Sequence, residues 1–158
     1  MNRPRIAGPG DIPELVRLIN AAYRVEGFFI DGDRTNASDI AARMQAPDAS
    51  FLVVDGDSGS LAATVYVTLH GSHAHFGLLA VDPDRQRQGL ARSLITAVEE
   101  HCRAAGCREL EMDFVNLREE LPAVYAALGF IETGETATLP AEERLTRPAH
   151  LVRMWKRL

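Results

Sequence analysis

The segment that most restricts what this chain can become runs from Leu79 to Arg92, Leu-Ala-Val-Asp-Pro-Asp-Arg-Gln-Arg-Gln-Gly-Leu-Ala-Arg. An apolar strand end is stopped by Asp82-Pro83-Asp84, and a basic loop then enters a helix. That helix is expected from about Gln88 to Ala105, with Leu90, Leu94, Ile95, Val98 and Cys102 along one stripe and Gly106 as its C-terminal cap. Strand, loop and helix are contiguous, so the free amides of the helix start converge beside the strand end. Such amides carry partial positive charge and bind phosphate through the backbone alone. Gly89 lets a phosphate come close, the small Ala91 keeps the next turn open, and Arg85, Arg87 and Arg92 supply charge for a phosphate or pyrophosphate. The chain has no Gly-x-x-x-x-Gly-Lys-Ser/Thr run, which removes a P-loop nucleotidase. It also has no Gly-x-Gly-x-x-Gly after a first strand, which removes the usual dinucleotide fingerprint.

The remaining segments read as one domain, residues 1–158. After an extended start around Arg3 to Ile6, Asp11 and Glu14 carry the reciprocal pattern of a helix start, and Ile12, Leu15, Val16, Ile19, Ala22 and Tyr23 predict a buried face through about Arg24. Asn36 to Ala46 reads as a second helix ended by Pro47. Phe51 to Val54 and Leu61 to Leu69 form a hairpin about a polar turn, and His75 to Val81 forms a further strand in which Gly77 is expected to mark a bulge or a close backbone approach. A strand is predicted over Glu109 to Val115, and a helix over Leu121 to Leu128 with Pro122 in its first turn and Gly129 past its end. From Phe130 the chain is extended again, Glu132 to Arg147 reads as a strand followed by a solvent-facing connection, and His150 to Leu158 alternates as a final strand. The apolar residues Leu151, Val152, Met154 and Trp155 of that last strand suit a homodimer contact.

A net charge of −5 and a pI of about 5.5 leave no overall positive field, so a nucleic-acid partner is not expected. No apolar run reaches the roughly 18 to 20 residues that span a bilayer, and the first residues lack the apolar stretch of a signal peptide. A cytoplasmic location without membrane attachment is the expectation. Cys102 and Cys107 lack the partner pair of a metal or disulfide framework and read as packed free thiols, and His70, His73 and His75 do not form a metal pattern.

The run Gln86-Arg87-Gln88-Gly89-Leu90-Ala91 resembles the Gln/Arg-x-x-Gly-x-Gly/Ala signature of the GCN5-related N-acetyltransferases (GNAT), and it follows the Leu-Ala-Val strand end usual in that family. Downstream, Asn116 and Tyr125-Ala-Ala-Leu128-Gly129-Phe130 are similar to the family's asparagine and Tyr-x-x-Leu-Gly-Phe element. The resemblance covers almost the whole chain. It implies an α/β (α+β) fold, a mixed, mostly antiparallel central sheet of about six to seven strands flanked by about four helices. That sheet would splay beside Leu79-Val81, where a pantetheine arm lies against exposed backbone. It also implies acetyl-CoA as co-substrate, held by Leu79, Ala80, Val81, Gln86, Arg87, Gln88, Gly89, Leu90, Ala91, Arg92 and Asn116, with Tyr125 near the sulfur as proton donor. Two departures stand out: Ala91 replaces the commoner glycine, and the Asn116-to-Tyr125 spacing is about two residues longer than the family's usual form.

Amide formation from a thioester needs a neutral amine, a polarised carbonyl and a proton for the departing thiolate. His75, on the strand that leads to the site, is the candidate base because histidine ordinarily titrates near neutrality; Glu26 and Asp33 are the alternatives, and a water chain is another route. Tyr23, Glu26, Phe28 and Phe29 are candidate walls for the acceptor, although Phe28 and Phe29 equally read as core plugs. Acids at Glu26, Asp31 and Asp33 suit a cationic acceptor or serve only solvation. The expected acceptor is a small-molecule or peptide amine, and small amine, amino acid, antibiotic, peptide amino terminus and protein lysine all fit the sequence. Transfer of another acyl group, and a non-catalytic CoA-binding module, stay open as alternatives.

Overall fold

The computed structural model describes residues 2–158. In chain order the elements are β1 (Arg5–Ile6), α1 (Ile12–Tyr23), α2 (Ala37–Gln45), β2 (Ala49–Asp55), β3 (Leu61–His70), β4 (His73–Val81), α3 (Leu90–Ala104), β5 (Glu109–Val115), α4 (Leu121–Ala127), β6 (Ile131–Ala137) and β7 (Leu151–Arg157). The strands form one 7-stranded sheet in the order β1-β2-β3-β4-β5-β7-β6. Every pairing is antiparallel except β4 with β5, whose parallel run requires the crossover that α3 supplies. This is the mixed, mostly antiparallel α+β fold that the family resemblance implies.

Period-two alternation divides the core. Leu90, Leu94, Ile95, Val98 and Cys102 of α3 and Tyr125 of α4 pack on one sheet face with Ala74, Phe76, Leu110, Met112 and Met154. Leu15, Leu18 and Ile19 of α1 and Ile40 of α2 pack on the other with Phe51, Val53, Leu78 and Ala80. Residues 74 and 76 of β4 therefore face α3, whereas 78 and 80 face α1. The switch is a bulge: Tyr66 pairs with Gly77 and Thr64 with Ala80, so Leu78 and Leu79 oppose Val65 alone. Leu78, not Gly77, carries the positive φ of 52°. The expected bulge thus falls one residue later, because the burial of Leu78 against α1 holds a side chain in a conformation that glycine would adopt more readily.

The same strand sets the opening of the sheet. Pairing of β4 with β5 runs from His73–Glu109 to Phe76–Met112 and stops, while the strands continue to Val81 and Val115. Beyond Phe76 the two strands part, leaving a slot through the sheet.

Other expectations shift for local reasons. Asp11 does not cap α1 with its side chain; a 3-10 turn over Pro9–Asp11 precedes the helix, and the carboxylate turns back to accept from the Gly8 amide at 2.9 Å and to pair with Arg5. Glu14 instead accepts from the Leu61 amide at 2.9 Å, pinning α1 to the start of β3. Helix α3 begins at Leu90 rather than Gln88, since Arg87 and Gly89 take φ of 65° and 79°. Its end follows the sequence: Gly106 at φ 88°, with Gly106 N–H to Arg103 C=O and Cys107 N–H to Cys102 C=O, closes a Schellman motif. The connection after β6 is not wholly solvent-facing, because Leu139 is buried against Phe29 and Val115 and Leu145 packs beside them. Finally, β7 lies between β5 and β6, so the strand expected to mediate a dimer is interior and the sheet edges are β1 and β6. Cys102 and Cys107 are buried free thiols.

Candidate active site

In the loop between β4 and α3, the Asp82 carboxylate accepts from the Asp84 amide at 3.0 Å and a 3-10 turn covers Pro83–Arg85. The first bond of α3 is Ser93 N–H to Gly89 C=O at 3.0 Å, so the amides of Leu90, Ala91 and Arg92 have no partner inside the helix. A Cβ built on Gly89 meets nothing within 4 Å. Glycine here serves the left-handed φ and an open approach rather than packing. Of the three arginines expected to add charge, Arg85 is held by Asp57 at 2.5 Å, while Arg87 and Arg92 are exposed and have no carboxylate partner among the described residues. Gln86 and Gln88 are exposed beside them, and Leu90 is buried, so only its amide faces the loop.

Leu79, Ala80 and Val81 form the β4 lip of the slot, with Ala80 and Val81 paired to β3 at Thr64 and Ala63. Their side facing β5 is free of strand pairing. Tyr125 comes from α4 on the α3 face; its ring centre lies 6.2 Å from that of Phe76 and 6.0 Å from that of Phe130. Burial, with Tyr23 nearby, pushes its phenol up from the ordinary tyrosine range, and no hydrogen bond among the described residues occupies its hydroxyl. Asn116 is spent largely on the fold: its Oδ1 accepts from the His150 amide at 2.8 Å while its own amide donates to His150 C=O, tying the end of β5 to the start of β7. Only its Nδ2 is left for a ligand.

A cavity of about 200 Å³ opens where α1 ends, with Tyr23, Arg24, Glu26, Asp31, Arg34 and Arg144 among its walls. Arg34 lies over the Tyr23 ring, 5.4 Å from its centre. Burial pushes the Tyr23 phenol up to about 12. Glu26 is buried at 7% exposure and paired with Arg118 at 2.9 Å. Burial raises its pKa, and Arg118 only partly offsets that effect. Arg118, from the β5–α4 connection, was not anticipated. It lies in the Asn116-to-Tyr125 stretch, whose spacing departs from the family's usual form, and its guanidinium meets Glu26. Of the candidate acceptor walls, Tyr23 and Glu26 line the cavity. Phe28 is 48% exposed and stacks edge-on against Phe29. Phe29 is fully buried with Val115 and Leu139, so it presents no side chain to a ligand and the core-plug reading holds for it.

His75 occupies the sheet face opposite Phe76 and Tyr125, as strand alternation requires. The structure does not bring it against Tyr125. Its Nε2 lies 3.3 Å from Asp113 Oδ2, and Arg153 donates to both Asp113 oxygens. Burial alone would raise the Asp113 carboxyl, but His75 and Arg153 outweigh it and hold the group at about 2. A carboxylate can only accept, so Nε2 carries the proton and the lone pair of a neutral His75 ring sits on Nδ1. The other candidate base, Asp33, sits on the exposed cavity rim. Among the described residues no group of His, Cys, Asp and Glu is arranged to hold a metal ion, and no helix is long and apolar enough to cross a membrane.

Solved structures share this architecture. The ribosomal-protein-S18-alanine N-acetyltransferase of Escherichia coli superposes with a TM-score of 0.78 at 19% identity, covering 99% of this chain and 94% of that one. The ribosomal-protein-alanine N-acetyltransferase of Brucella melitensis gives 0.74 at 18%, covering 98% and 99%. The yncA protein of Salmonella typhimurium, whose structure holds acetyl-CoA, gives 0.75 at 16%, covering 98% and 92%. At such identities the likeness establishes the fold. Comparison with curated proteins gave no match. The sequence itself matches the model described as the acetyltransferase (GNAT) family over residues 12–130, most of the chain, and this settles its kinship: the chain belongs to the GNAT acetyltransferase family and is an acyltransferase.

Proposed function

We propose that the protein transfers an acetyl group from acetyl-CoA to a primary amine by direct attack on the thioester. The observation that carries this reading is the slot beyond Phe76 and Met112, bordered by the unpaired edge of β4, the strand that leads into the open start of α3; the buried phenol of Tyr125 supports it. The residues present fit the co-substrate: the amides of Leu90, Ala91 and Arg92 with the free cations of Arg87 and Arg92 suit a pyrophosphate. The unpaired backbone of Leu79, Ala80 and Val81 suits the amide-bearing arm and the thioester carbonyl.

The amine nitrogen bonds to the carbonyl carbon, the carbon–sulfur bond breaks, and the thiolate takes the Tyr125 proton. Burial that raises the Tyr125 pKa keeps the phenol protonated until the thiolate forms, and the same dry surroundings make the thiolate a stronger base, so the two remain matched. The amine approaches from the α1 face, on which the Tyr23–Glu26 cavity opens. His75 lies on that face and accepts the amine proton at Nδ1, through water, with Asp113 fixing the ring. Calorimetric titration with acetyl-CoA and with CoA tests the reading. Binding to the unmodified protein that Gly89→Glu abolishes is the expected result, whereas absence of binding at millimolar ligand overturns it. Comparison of acetyl-CoA with longer acyl-CoA donors in a thiol-release assay identifies the acyl group.

A further inference from the structure

The charges around the α1 cavity are not those of a site for a simple cation. Glu26, the most buried acid there, is already neutralised by Arg118 at 2.9 Å. Asp31, Asp33 and Arg34 are all exposed to solvent, so exposure does not separate them; their partners do. Arg144 is spent on backbone: its Nη1 donates to Asp31 C=O at 3.1 Å and to Asp33 C=O at 2.9 Å. Arg34 is different. Its guanidinium lies on the Tyr23 ring and has no carboxylate partner among the described residues.

The backbone that carries Arg34 is fixed on both sides. Arg144 grips the carbonyls before it, and Gly32 takes the φ of 88° that favours glycine, with the Arg144 guanidinium 2.9 Å from where a Cβ would stand. After it, Asn20 of α1 binds Thr35 twice, donating to its C=O at 3.0 Å and accepting from its N–H at 2.9 Å. An unpaired guanidinium on a clamped loop, stacked on an aromatic ring at a cavity wall, is a preorganised receptor for a planar anion. Arg24 lines the same cavity and also has no carboxylate partner among the described residues.

We infer that the acceptor amine carries a carboxylate, and that the protein acylates small free amino acids, with Arg34 binding the carboxylate. The cavity volume of about 200 Å³ fits such a molecule. This inference rests on the acetyltransferase reading above, and the experiment separates the two. Thiol release from acetyl-CoA is followed with the common amino acids, the corresponding amino acid amides and the corresponding decarboxylated amines, on the unmodified protein and on Arg34→Gln and Arg34→Lys. The expected result is at least one amino acid whose kcat/KM exceeds that of its amide and its decarboxylated amine by about tenfold or more, the usual scale of one charge-assisted contact. Because the amide's amine is less basic and more often neutral, that bias works against the expected outcome. Arg34→Gln collapses the ratio toward one, and Arg34→Lys retains part of it. Amides or plain amines used equally well, a ratio unchanged in Arg34→Gln, or bound acetyl-CoA with no amino acid consumed each overturn the assignment while leaving acetyl-CoA binding intact. Failure to bind acetyl-CoA at all instead removes the function on which it rests.

Discussion

Tyr125 is the residue on which chemistry and packing separate most cleanly. Its ring is wedged between Phe76 and Phe130, but its hydroxyl has no protein partner among the described residues, so Tyr125→Phe removes a proton without removing a contact. We expect kcat to fall by about a hundredfold to ten-thousandfold, the range for loss of a general acid, while calorimetry returns a nearly unchanged affinity for acetyl-CoA and Tm stays level. The tyrosine could be picked out from its Tyr-x-x-Leu-Gly-Phe context. Its near neighbours could not: Arg118 meets Glu26 across a sequence separation of 92 residues, and nothing local to either residue encodes the other. For the same reason Phe28 and Phe29, adjacent and chemically alike, were indistinguishable in sequence. Only the closing of residues 139–145 over one of them makes it core and leaves the other at the surface.

Among the elements, the loop between α1 and α2 depends on the Arg144 clamp. Gly32→Ala places a side chain at a disfavoured positive φ and displaces the guanidinium 2.9 Å from the new Cβ, which strains the loop and loosens the clamp. A loss of about 1 kcal/mol or more is expected in chemical denaturation, together with faster amide exchange at residues 31–35 and a weaker acceptor KM. Regular elements were legible because their signals are local: Gly106 and Gly129 end helices at positive φ, and β5 spans the residues its alternation marks. Starts and irregularities were less so. The Asp11–Glu14 pattern suited a capping box, yet Arg5, brought close by β1, competes for the Asp11 carboxylate; the β4 bulge chose Leu78 because the two faces of the sheet demand a change of side there, a requirement set by α1 and α3 together.

At the scale of the whole molecule, Asp113 joins three strands, lying on β5 and bonding His75 of β4 and Arg153 of β7. Its folded-state pKa of about 2 is below the ordinary value of 3.8, so its contribution to stability is fully present above the ordinary value and is lost as pH falls through about 2. Denaturation midpoints measured across that interval should fall less steeply for Asp113→Asn than for the unmodified protein, and an equal slope would show that the carboxylate contributes no linkage. The overall topology was readable from the order of elements only through the family resemblance, since the position of β7 in the sheet is not written in its own residues. That position has a consequence for how the protein is made. The segment β6 leaves the ribosome before β7, yet β7 is its sole strand neighbour, and β5 likewise waits for β7 on its outer side. Until β7 emerges, the nascent chain carries one strand with no mate and another with a bare edge. The sheet closes by insertion of β7 between two strands made before it, and the emerging polypeptide depends on that strand to bury its adhesive edges.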